Sequence, residues 1–131
     1  MVGDPVGDFI VRLTNAGAVH KEAVSVPYSR LKHAIADKLV ERGFLVSAKM
    51  HGKKVKKTLE VGLRYREDGS AFIRGVKRVS KPGRRLYTKS AEIYPVKFGK
   101  GLMVLSTPSG ILAGDEARKQ KVGGEQLFII W

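Results

Sequence analysis

The first apolar pattern of the chain has the period of a helix. Its apolar positions are Val6, Phe9, Ile10 and Leu13. Asp4 suits the N-cap of this helix, and Pro5 suits its first position, where a missing N–H leaves no hydrogen bond unmade. Gly17 is expected to end the helix because glycine favours the conformation that closes a helix C-terminus.

A second helical pattern follows the short extended piece EAVSVP. Its apolar stripe consists of Leu31, Ile35, Leu39 and Val40. Ser29 is expected to cap this helix, and Gly43 is expected to end it. The chain up to Gly43 is therefore predicted to run helix, strand, helix.

Beyond Gly43 the apolar period changes from that of a helix to that of a strand. One face of the predicted strand carries Val55, Lys57, Leu59, Val61, Leu63 and Tyr65. A period of two is typical of a half-buried strand, and a hairpin turn is predicted near His51 and Gly52. The order of elements in this part is α-β-α-β-β.

Residues 67–70, with the sequence EDGS, are the best candidate for a linker, because they combine turn chemistry with no apolar anchor. Short strands are predicted around AFIRGV, RRLYT, AEIYPV and GLMVLS, with one brief helix at DEARKQ. The last strand, EQLFIIW, is apolar on both faces, which places it centrally in its sheet. We therefore predict an α+β fold of two small domains. The N-terminal domain is α-β-α-β-β (residues 1–66), and the C-terminal domain is mainly β with one short helix (residues 71–131).

The charge of the chain indicates its class of partner. Lys and Arg number 25 against 12 Asp and Glu, a formal charge of +13 on 131 residues. Residues 1–66 carry 13 basic and 6 acidic side chains, and residues 67–131 carry 12 and 6, so both parts share the excess. Such a charge predicts a polyanionic partner, with nucleic acid ahead of an acidic membrane surface.

The chain has no cysteine, which excludes disulfides and thiolate metal sites and fits a reducing compartment. Its start lacks the basic and then apolar order of a signal peptide. No window approaches the roughly 18 apolar residues of a membrane span. We therefore expect a cytoplasmic protein with no membrane partner.

The stretch STPSG, from Ser106 to Gly110, raises the question of catalysis. The nucleophilic serine of an α/β-hydrolase lies in the pattern Gly-x-Ser-x-Gly, and neither Ser106 nor Ser109 has glycines at those two positions. All three histidines, one of which would have to act as the base, lie in the first half of the chain. The chain has no Gly-Lys-Ser or Gly-Lys-Thr phosphate loop, and no histidine has a second ligand at i+3 or i+4 that suits zinc. We predict no enzyme activity, no cofactor and no metal.

The basic segment RGVKRVSKPGRRLYTK points to nucleic acid. It holds seven basic residues, no acidic one, a proline-glycine turn and Tyr87, which can stack on a base. An extended segment separates the first two helices, which disfavours a helix-turn-helix reader of DNA. Small hydroxyl groups suit the shallow minor groove of duplex RNA, but STPSG suits that surface and an ordinary turn before a helix equally well. A basic, DNA-binding architectural protein is the alternative function.

Four stretches carry a family resemblance: DPVGDFIVRLTNA, VPYSRLKHAI, VSKPGRRLYT and LSTPSGILAGDEARKQKVGGEQLFIIW. With them the chain resembles the bacterial small-subunit ribosomal protein eight (S-eight) family over essentially its full length. The resemblance implies two α+β domains, no enzyme activity, and primary binding to an internally looped helix in the central domain of small-subunit ribosomal RNA. It implies neighbouring small-subunit proteins as partners, and its own messenger RNA is a further candidate because some members repress their operon.

The resemblance also implies which residues contact RNA. A hydroxyl loop that reads the minor groove carries over to Ser106, Thr107 and Gly110. The chain departs from the commonest form of this loop, Ser-Thr-Ser-Lys-Gly, because Pro108 and Ser109 replace its third and fourth residues. Proline has neither the hydroxyl nor the N–H of the usual serine, so an RNA contact made there by relatives is either lost or taken over by Ser109.

Further contacts are implied outside the hydroxyl loop. A stacking tyrosine carries over to Tyr87, and the acid of the Gly-Gly-Glu signature carries over to Glu125. Phosphate contacts are expected nearby at Lys81, Arg84 and Arg85. In the first domain, Arg12 and Asn15 match a family signature that lies near RNA or neighbouring proteins. The candidates for a secondary contact to the RNA backbone are Lys53, Lys54, Lys56 and Lys57.

Overall fold

The computed structural model describes residues 4–53, 55–93 and 101–131. Its elements in chain order are α1 (Pro5–Ala18), β1 (Ala23–Pro27), α2 (Arg30–Glu41), β2 (Leu45–His51), β3 (Thr58–Leu63), β4 (Val76–Arg78), β5 (Tyr87–Thr88), a 3-10 helix (Ser90–Glu92), β6 (Leu102–Thr107), β7 (Gly110–Ala113), α3 (Gly114–Gln120) and β8 (Gly124–Ile130). The helices and two antiparallel sheets confirm the predicted α+β class. No helix among the described residues is long and apolar enough to cross a membrane.

The chain divides into two compact units. One is Asp8–Arg74, and the other is Gly75–Trp131 together with the N-terminal residues up to Gly7. The predicted linker lies inside the first unit as a tight turn, where Asp68 Oδ1 accepts hydrogen bonds from the hydroxyl and N–H of Ser70 at 2.6 and 2.9 Å. These bonds lower the pKa of the Asp68 carboxyl. Separate folding of residues 1–66 and 71–131 stays a prediction.

In the Asp8–Arg74 unit, β3 is the central strand of a three-stranded antiparallel sheet ordered β1-β3-β2. Its buried side chains alternate along the strand, at Leu59, Val61 and Leu63. The helix α2 packs against β2 and β3 and contributes the fully buried Ile35 and Leu39. The period-two pattern therefore identifies the core face of this strand correctly.

Capping bonds confirm the predicted helix starts. Asp4 Oδ1 accepts from the N–H of Gly7 at 3.2 Å, and Ser29 Oγ accepts from the N–H of Lys32 at 3.1 Å. Gly43 follows the C-cap of α2 with a φ of +82°, a conformation that glycine adopts without strain. Local chemistry sets these helix ends as the sequence predicts.

Two boundaries in this unit are wrong in the sequence prediction. The helix α1 runs on to Ala18 instead of ending at Gly17, and the left-handed position falls on His20, with a φ of 57°. The strand β3 begins at Thr58, and Val55 lies outside it with 92% of its surface exposed. Each apolar pattern locates its element, but hydrogen bonding decides where the element stops.

The predicted apolar stripe of α2 is wrong at Leu31, which is exposed, whereas the neighbouring Lys32 and Ala36 are buried. Burial lowers the pKa of the Lys32 ammonium, the charge of Arg12 lowers it further, and Asp8 raises it. The ammonium of Lys32 therefore lies in surroundings that disfavour its charge.

Replacement of Lys32 by methionine is expected to raise the free energy of unfolding at neutral pH by up to about 1 kcal/mol. The folded-state pKa of Lys32 lies below the unfolded value of 10.5, so the charged amine costs stability at neutral pH. That cost disappears as the pH rises past the pKa of the unfolded state, because the Lys32 amine is then neutral in both the folded and the unfolded protein. Urea unfolding of the two proteins from neutral to alkaline pH measures the difference, which should shrink as pH rises. Lys21→Met at an exposed position is the control, and a less stable Lys32→Met at neutral pH would contradict the expectation.

In the Gly75–Trp131 unit, β8 lies inside a five-stranded antiparallel sheet ordered β4-β8-β6-β7, with β5 also paired to β8. Its buried Phe128 and Ile130 confirm that EQLFIIW is a central strand. The helix α3 packs on β6 and β7, where Leu105, Leu112 and Ala117 belong to one apolar cluster. The opposite face of the sheet is therefore turned away from α3.

Three predicted elements of this unit differ from the structure. The strand predicted at AFIRGV lies instead at Val76–Arg78. The strand predicted at AEIYPV, residues 91–96, begins instead within a 3-10 helix, Ser90–Glu92. Residues 94–96 of that predicted strand lie outside the described residues. The unpredicted strand β7, Gly110–Ala113, separates STPSG from α3, whose N-cap is Ala113. The stretch STPSG is therefore the turn of a hairpin and not the cap of a helix.

Candidate nucleic-acid interface

The stretch STPSG forms the turn between β6 and β7. Thr107 pairs with Gly110, which leaves Pro108 and Ser109 as the exposed turn residues. Gly110 has a φ of +109°, where a side chain would be strained, so the turn requires glycine. The Thr107 hydroxyl donates to the Gly110 carbonyl at 2.8 Å and accepts from the Ser109 N–H at 3.1 Å. Thr107 therefore holds the turn and keeps one acceptor site for a ligand.

The sheet register brings three predicted site residues into one row. Glu125 on β8 is paired with Tyr87 on β5 and with Ser106 on β6. Directly paired residues of antiparallel strands point to the same face of a sheet, so these side chains form a continuous line across it. Leu105, the neighbour of Ser106, packs in the α3 cluster, and the line therefore lies on the other face. We call Tyr87, Glu125 and Ser106 the cross-strand row.

The cross-strand row presents a ring, a carboxylate and a hydroxyl. Tyr87 is 71% exposed, and its ring is free to stack. Ser106 is half-buried, and its hydroxyl has no hydrogen-bond partner among the residues that the structure describes. The side chain of Glu125 is only 14% exposed, so its carboxylate is a partly desolvated acceptor. Such groups can contact bases and sugar hydroxyls.

Two consecutive glycines keep the strands of the row close together. A Cβ on Gly123 would meet the carbonyl oxygen of Thr88, and a Cβ on Gly124 would meet the carbonyl oxygen of Ser106. Both contacts would be with backbone atoms well inside van der Waals distance, so a side chain fits only if a strand moves. The glycine pair thus positions the row, a role that the sequence alone does not reveal.

A basic turn, residues 80–86, leaves the sheet beside the row. Lys81 and Arg84 exchange two backbone hydrogen bonds of 2.9 Å across Pro82–Gly83. Both side chains are exposed and have no ion pair within the described part of the chain. The buried Ser80 holds the base of the turn, since its hydroxyl donates to the Leu86 carbonyl at 3.2 Å and accepts from the Leu86 N–H at 2.9 Å. Sequence reasoning missed Ser80, whose only signal is a serine before Lys-Pro-Gly.

Arg85 has a partner that the sequence did not predict. Its Nη1 donates to Glu125 Oε2 at 3.1 Å, and 56% of its side chain is exposed. A guanidinium has five N–H groups, and the others make no hydrogen bond among the described residues. Arg85 therefore orients the Glu125 carboxylate and retains donors for a phosphate.

The remaining predicted site residues belong to the Asp8–Arg74 unit. Arg12 and Asn15 are exposed and three positions apart on α1. The loop after β2 begins with Gly52, whose φ of +100° again requires glycine. Its exposed lysines are Lys53, Lys56 and Lys57, and Lys54 lies outside the described residues. Lys53, Lys56 and Lys57 thus make this loop basic.

The described hydrogen bonds give no support to a serine enzyme. All three histidines belong to the Asp8–Arg74 unit. His33 Nδ1 lies 3.3 Å from the Tyr28 hydroxyl, and its Nε2 lies 3.5 Å from Asp37 Oδ1. Asp37, four residues after His33, is thus a partner that the sequence prediction of metal ligands missed. Even so, no group of three or more His, Asp or Glu that could hold a metal occurs among the described residues.

The chain matches the family model for ribosomal protein S8 over residues 4–131. It is similar to proteins named small ribosomal subunit protein uS8 from several organisms. The relative from Clavibacter michiganensis subsp. michiganensis is 47% identical over 98% of this chain and 97% of its own. The relative from Roseiflexus castenholzii is 45% identical, with 99% and 98% covered, and that from Dehalococcoides mccartyi is 37% identical with 100% of both covered. The match extends over almost the whole sequence, and the chain therefore belongs to the ribosomal protein S8 family.

Proposed function

We propose that this chain is a structural constituent of the small ribosomal subunit and a primary binder of the central domain of small-subunit ribosomal RNA. Its family and the names of its relatives support the place in the subunit. The observation that carries the RNA contact is the cross-strand row, set between an exposed hydroxyl turn and a basic turn. The function is to bind RNA and help it assemble, without catalysis.

The RNA feature that suits this surface best is the minor groove of an irregular, internally looped helix. In A-form RNA this groove is wide and shallow and is lined with 2′-hydroxyls. Ser106 can donate and accept there, whereas Thr107 can only accept, because its proton is given to Gly110. Glu125 can accept from a 2′-hydroxyl, and Tyr87 can stack on a base that the irregular loop leaves unpaired.

Charged residues around the groove contacts supply attraction to phosphate. Lys81 and Arg84 extend from the basic turn, and Arg85 adds the donors that Glu125 does not use. Ser109 is exposed at the turn and offers a hydroxyl beside Pro108. Secondary contacts to the RNA backbone are proposed at Arg12, Asn15, Lys53, Lys54, Lys56 and Lys57.

The proposed function also implies partners other than ribosomal RNA. Neighbouring small-subunit proteins share the assembled particle, which places the chain in the cytoplasm. A messenger segment that mimics the ribosomal site is a further ligand for the cross-strand row. A basic architectural protein for DNA is the competing function, since charge alone does not separate the two.

A competition experiment tests the RNA function. The probe is a central-domain RNA helix with its internal loop. The competitors are the same helix with the loop closed by Watson–Crick pairs and a DNA duplex of equal length. We expect the looped RNA to bind at least tenfold more tightly than either competitor at equal salt, because only it offers both 2′-hydroxyls and unpaired bases. Equal affinity for DNA would favour the architectural protein.

Two variants separate hydrogen bonding by Ser106 from phosphate binding by Arg84 in the same experiment. Ser106→Ala should weaken the binding of looped RNA by about 1 kcal/mol with no change in salt dependence, because it removes a neutral hydrogen bond. Arg84→Ala should reduce the slope of log affinity against log salt by about 0.7 to 0.9, because it removes one charge that binds a phosphate. A slope change from Ser106→Ala and none from Arg84→Ala would contradict these roles.

A further inference from the structure

The C-terminal end of α3 carries basic residues that none of the predicted contacts uses. We call them the basic helix end: Arg118, Lys119 and Lys121, together with Lys89. All four side chains are exposed, and none has an ion pair or hydrogen bond among the described residues. Lys89 belongs to the group because a Cβ on Gly123 would lie 3.1 Å from its Cα. The chain thus holds a second cationic group beside the same sheet.

The basic turn and the basic helix end reach the sheet on opposite sides of Glu125. The basic turn meets β8 at Gln126, whose backbone carbonyl accepts from the N–H of Ser80 at 3.1 Å and whose N–H donates to the carbonyl of Leu86 at 2.8 Å. The basic helix end meets the sheet at Gly123, which directly precedes the first residue of β8 and lies three residues before Gln126. Glu125 lies between the two meeting points. Glu125 therefore has a basic group on each side of it along the chain.

Lys121 occupies a backbone position that favours glycine. Lys121 lies in the left-handed region, with a φ of 59° and a ψ of 39°, directly after the last residue of α3. Glycine adopts this conformation without strain, whereas any other side chain costs stability there. Attraction to the helix dipole accounts for Arg118 and Lys119 in the last turn. It does not account for a lysine at a position that favours glycine.

We infer that the basic helix end binds the phosphodiester backbone along one border of the RNA minor groove, while the basic turn binds the backbone along the other. The inference rests on the proposed function and extends its contact surface. Two phosphate backbones border a duplex minor groove, so a protein surface that enters the groove meets phosphates on both sides. The placement of the two basic groups on either side of Glu125 suits that arrangement.

The test compares Lys121→Gly with the unchanged chain on the looped central-domain RNA over a series of salt concentrations. We expect the affinity at low salt to fall about fivefold and the slope of log affinity against log salt to decrease by about 0.7 to 0.9. Because glycine relieves the strained backbone, urea unfolding should show equal or greater stability for the variant. Weaker binding without weaker stability separates an RNA contact from a structural role.

Two controls accompany the test. Lys121→Arg keeps the positive charge and should restore both affinity and slope. Lys21→Ala removes an exposed lysine of the other unit and should change neither. If the unchanged chain prefers looped RNA but Lys121→Gly alters neither affinity nor slope, the inference is overturned and the proposed function stands. If the unchanged chain shows no preference for looped RNA, both are overturned.

Discussion

Replacement of Gly124 by alanine is expected to lower the free energy of unfolding by about 3 kcal/mol and to abolish tight RNA binding. The added Cβ would meet the carbonyl oxygen of Ser106 and would lie 3.0 Å from Thr107 Cγ2. The carbonyl belongs to the backbone of β6, so the clash is relieved only if β6 and β8 move apart. That movement breaks the pairing of Ser106 with Glu125 and disperses the cross-strand row.

The fluorescence of Trp131 can follow this unfolding. Trp131 is the only tryptophan of the chain, and its backbone exchanges hydrogen bonds of 3.0 and 3.1 Å with Gly75 in the same unit as Gly124. Urea titration monitored by fluorescence gives the change in stability, and titration with looped RNA at low temperature gives the change in affinity.

Gly83→Ala is the matched control for Gly124→Ala. A Cβ on Gly83 would have no atom within 4 Å, and Gly83 does not have a positive φ. It therefore accepts alanine with little change in stability, and removal of glycine flexibility from the unfolded chain favours it slightly. If Gly124→Ala proved as stable as Gly83→Ala, the close approach of β6 and β8 at this point would be contradicted.

Helix starts were predictable because each depends on residues close in sequence. Asp4 and Ser29 cap their helices by bonding an N–H three residues later, so the cap and its target occur together in the sequence. The alternation of Leu59, Val61 and Leu63 likewise identifies a core face without knowledge of the partner strands. Local signals of this kind gave the α+β class and most of the elements.

Errors occurred where tertiary contacts decide the outcome. The strand β7 has only four residues, GILA, and its pairing with β6 depends on the left-handed conformation of Gly110. The burial of Lys32 in place of Leu31 depends on how α2 faces its sheet, and an apolar stripe alone assigns the wrong side chain. Neither feature has a signal within a short window of sequence.

The candidate site likewise has features that could be predicted from the sequence and features that depend on tertiary structure. Family resemblance gave the identities of Ser106, Tyr87 and Glu125, but neither it nor their spacing shows that they form one row. That arrangement follows from the register of three strands that are distant in sequence. The buried Ser80 was missed for the same reason, since its hydroxyl bonds both the N–H and the carbonyl of Leu86 on the return of the basic turn.

Thr107→Val is expected to weaken the binding of looped RNA about tenfold, more than Ser106→Ala, because it removes two kinds of interaction together. The Thr107 hydroxyl closes the turn through Gly110 and Ser109, and it retains one lone pair that can accept a further hydrogen bond. Valine has nearly the same shape but can make none of these bonds. The turn therefore becomes less ordered, and the RNA no longer has this acceptor. The slope of log affinity against log salt should stay unchanged, because no charge is removed.

Amide hydrogen exchange at Ser109 distinguishes the two effects. The N–H of Ser109 donates to the Thr107 hydroxyl, so this amide should exchange faster in Thr107→Val and at the ordinary rate in Ser106→Ala. Thr107→Ser retains the hydroxyl and should recover both slow exchange and most of the affinity. Faster exchange in Thr107→Val with unchanged RNA affinity would mean that Thr107 only shapes the turn. The RNA contact would then rest on Ser106, Glu125 and Tyr87, because those three side chains keep their positions on paired strands without help from the turn.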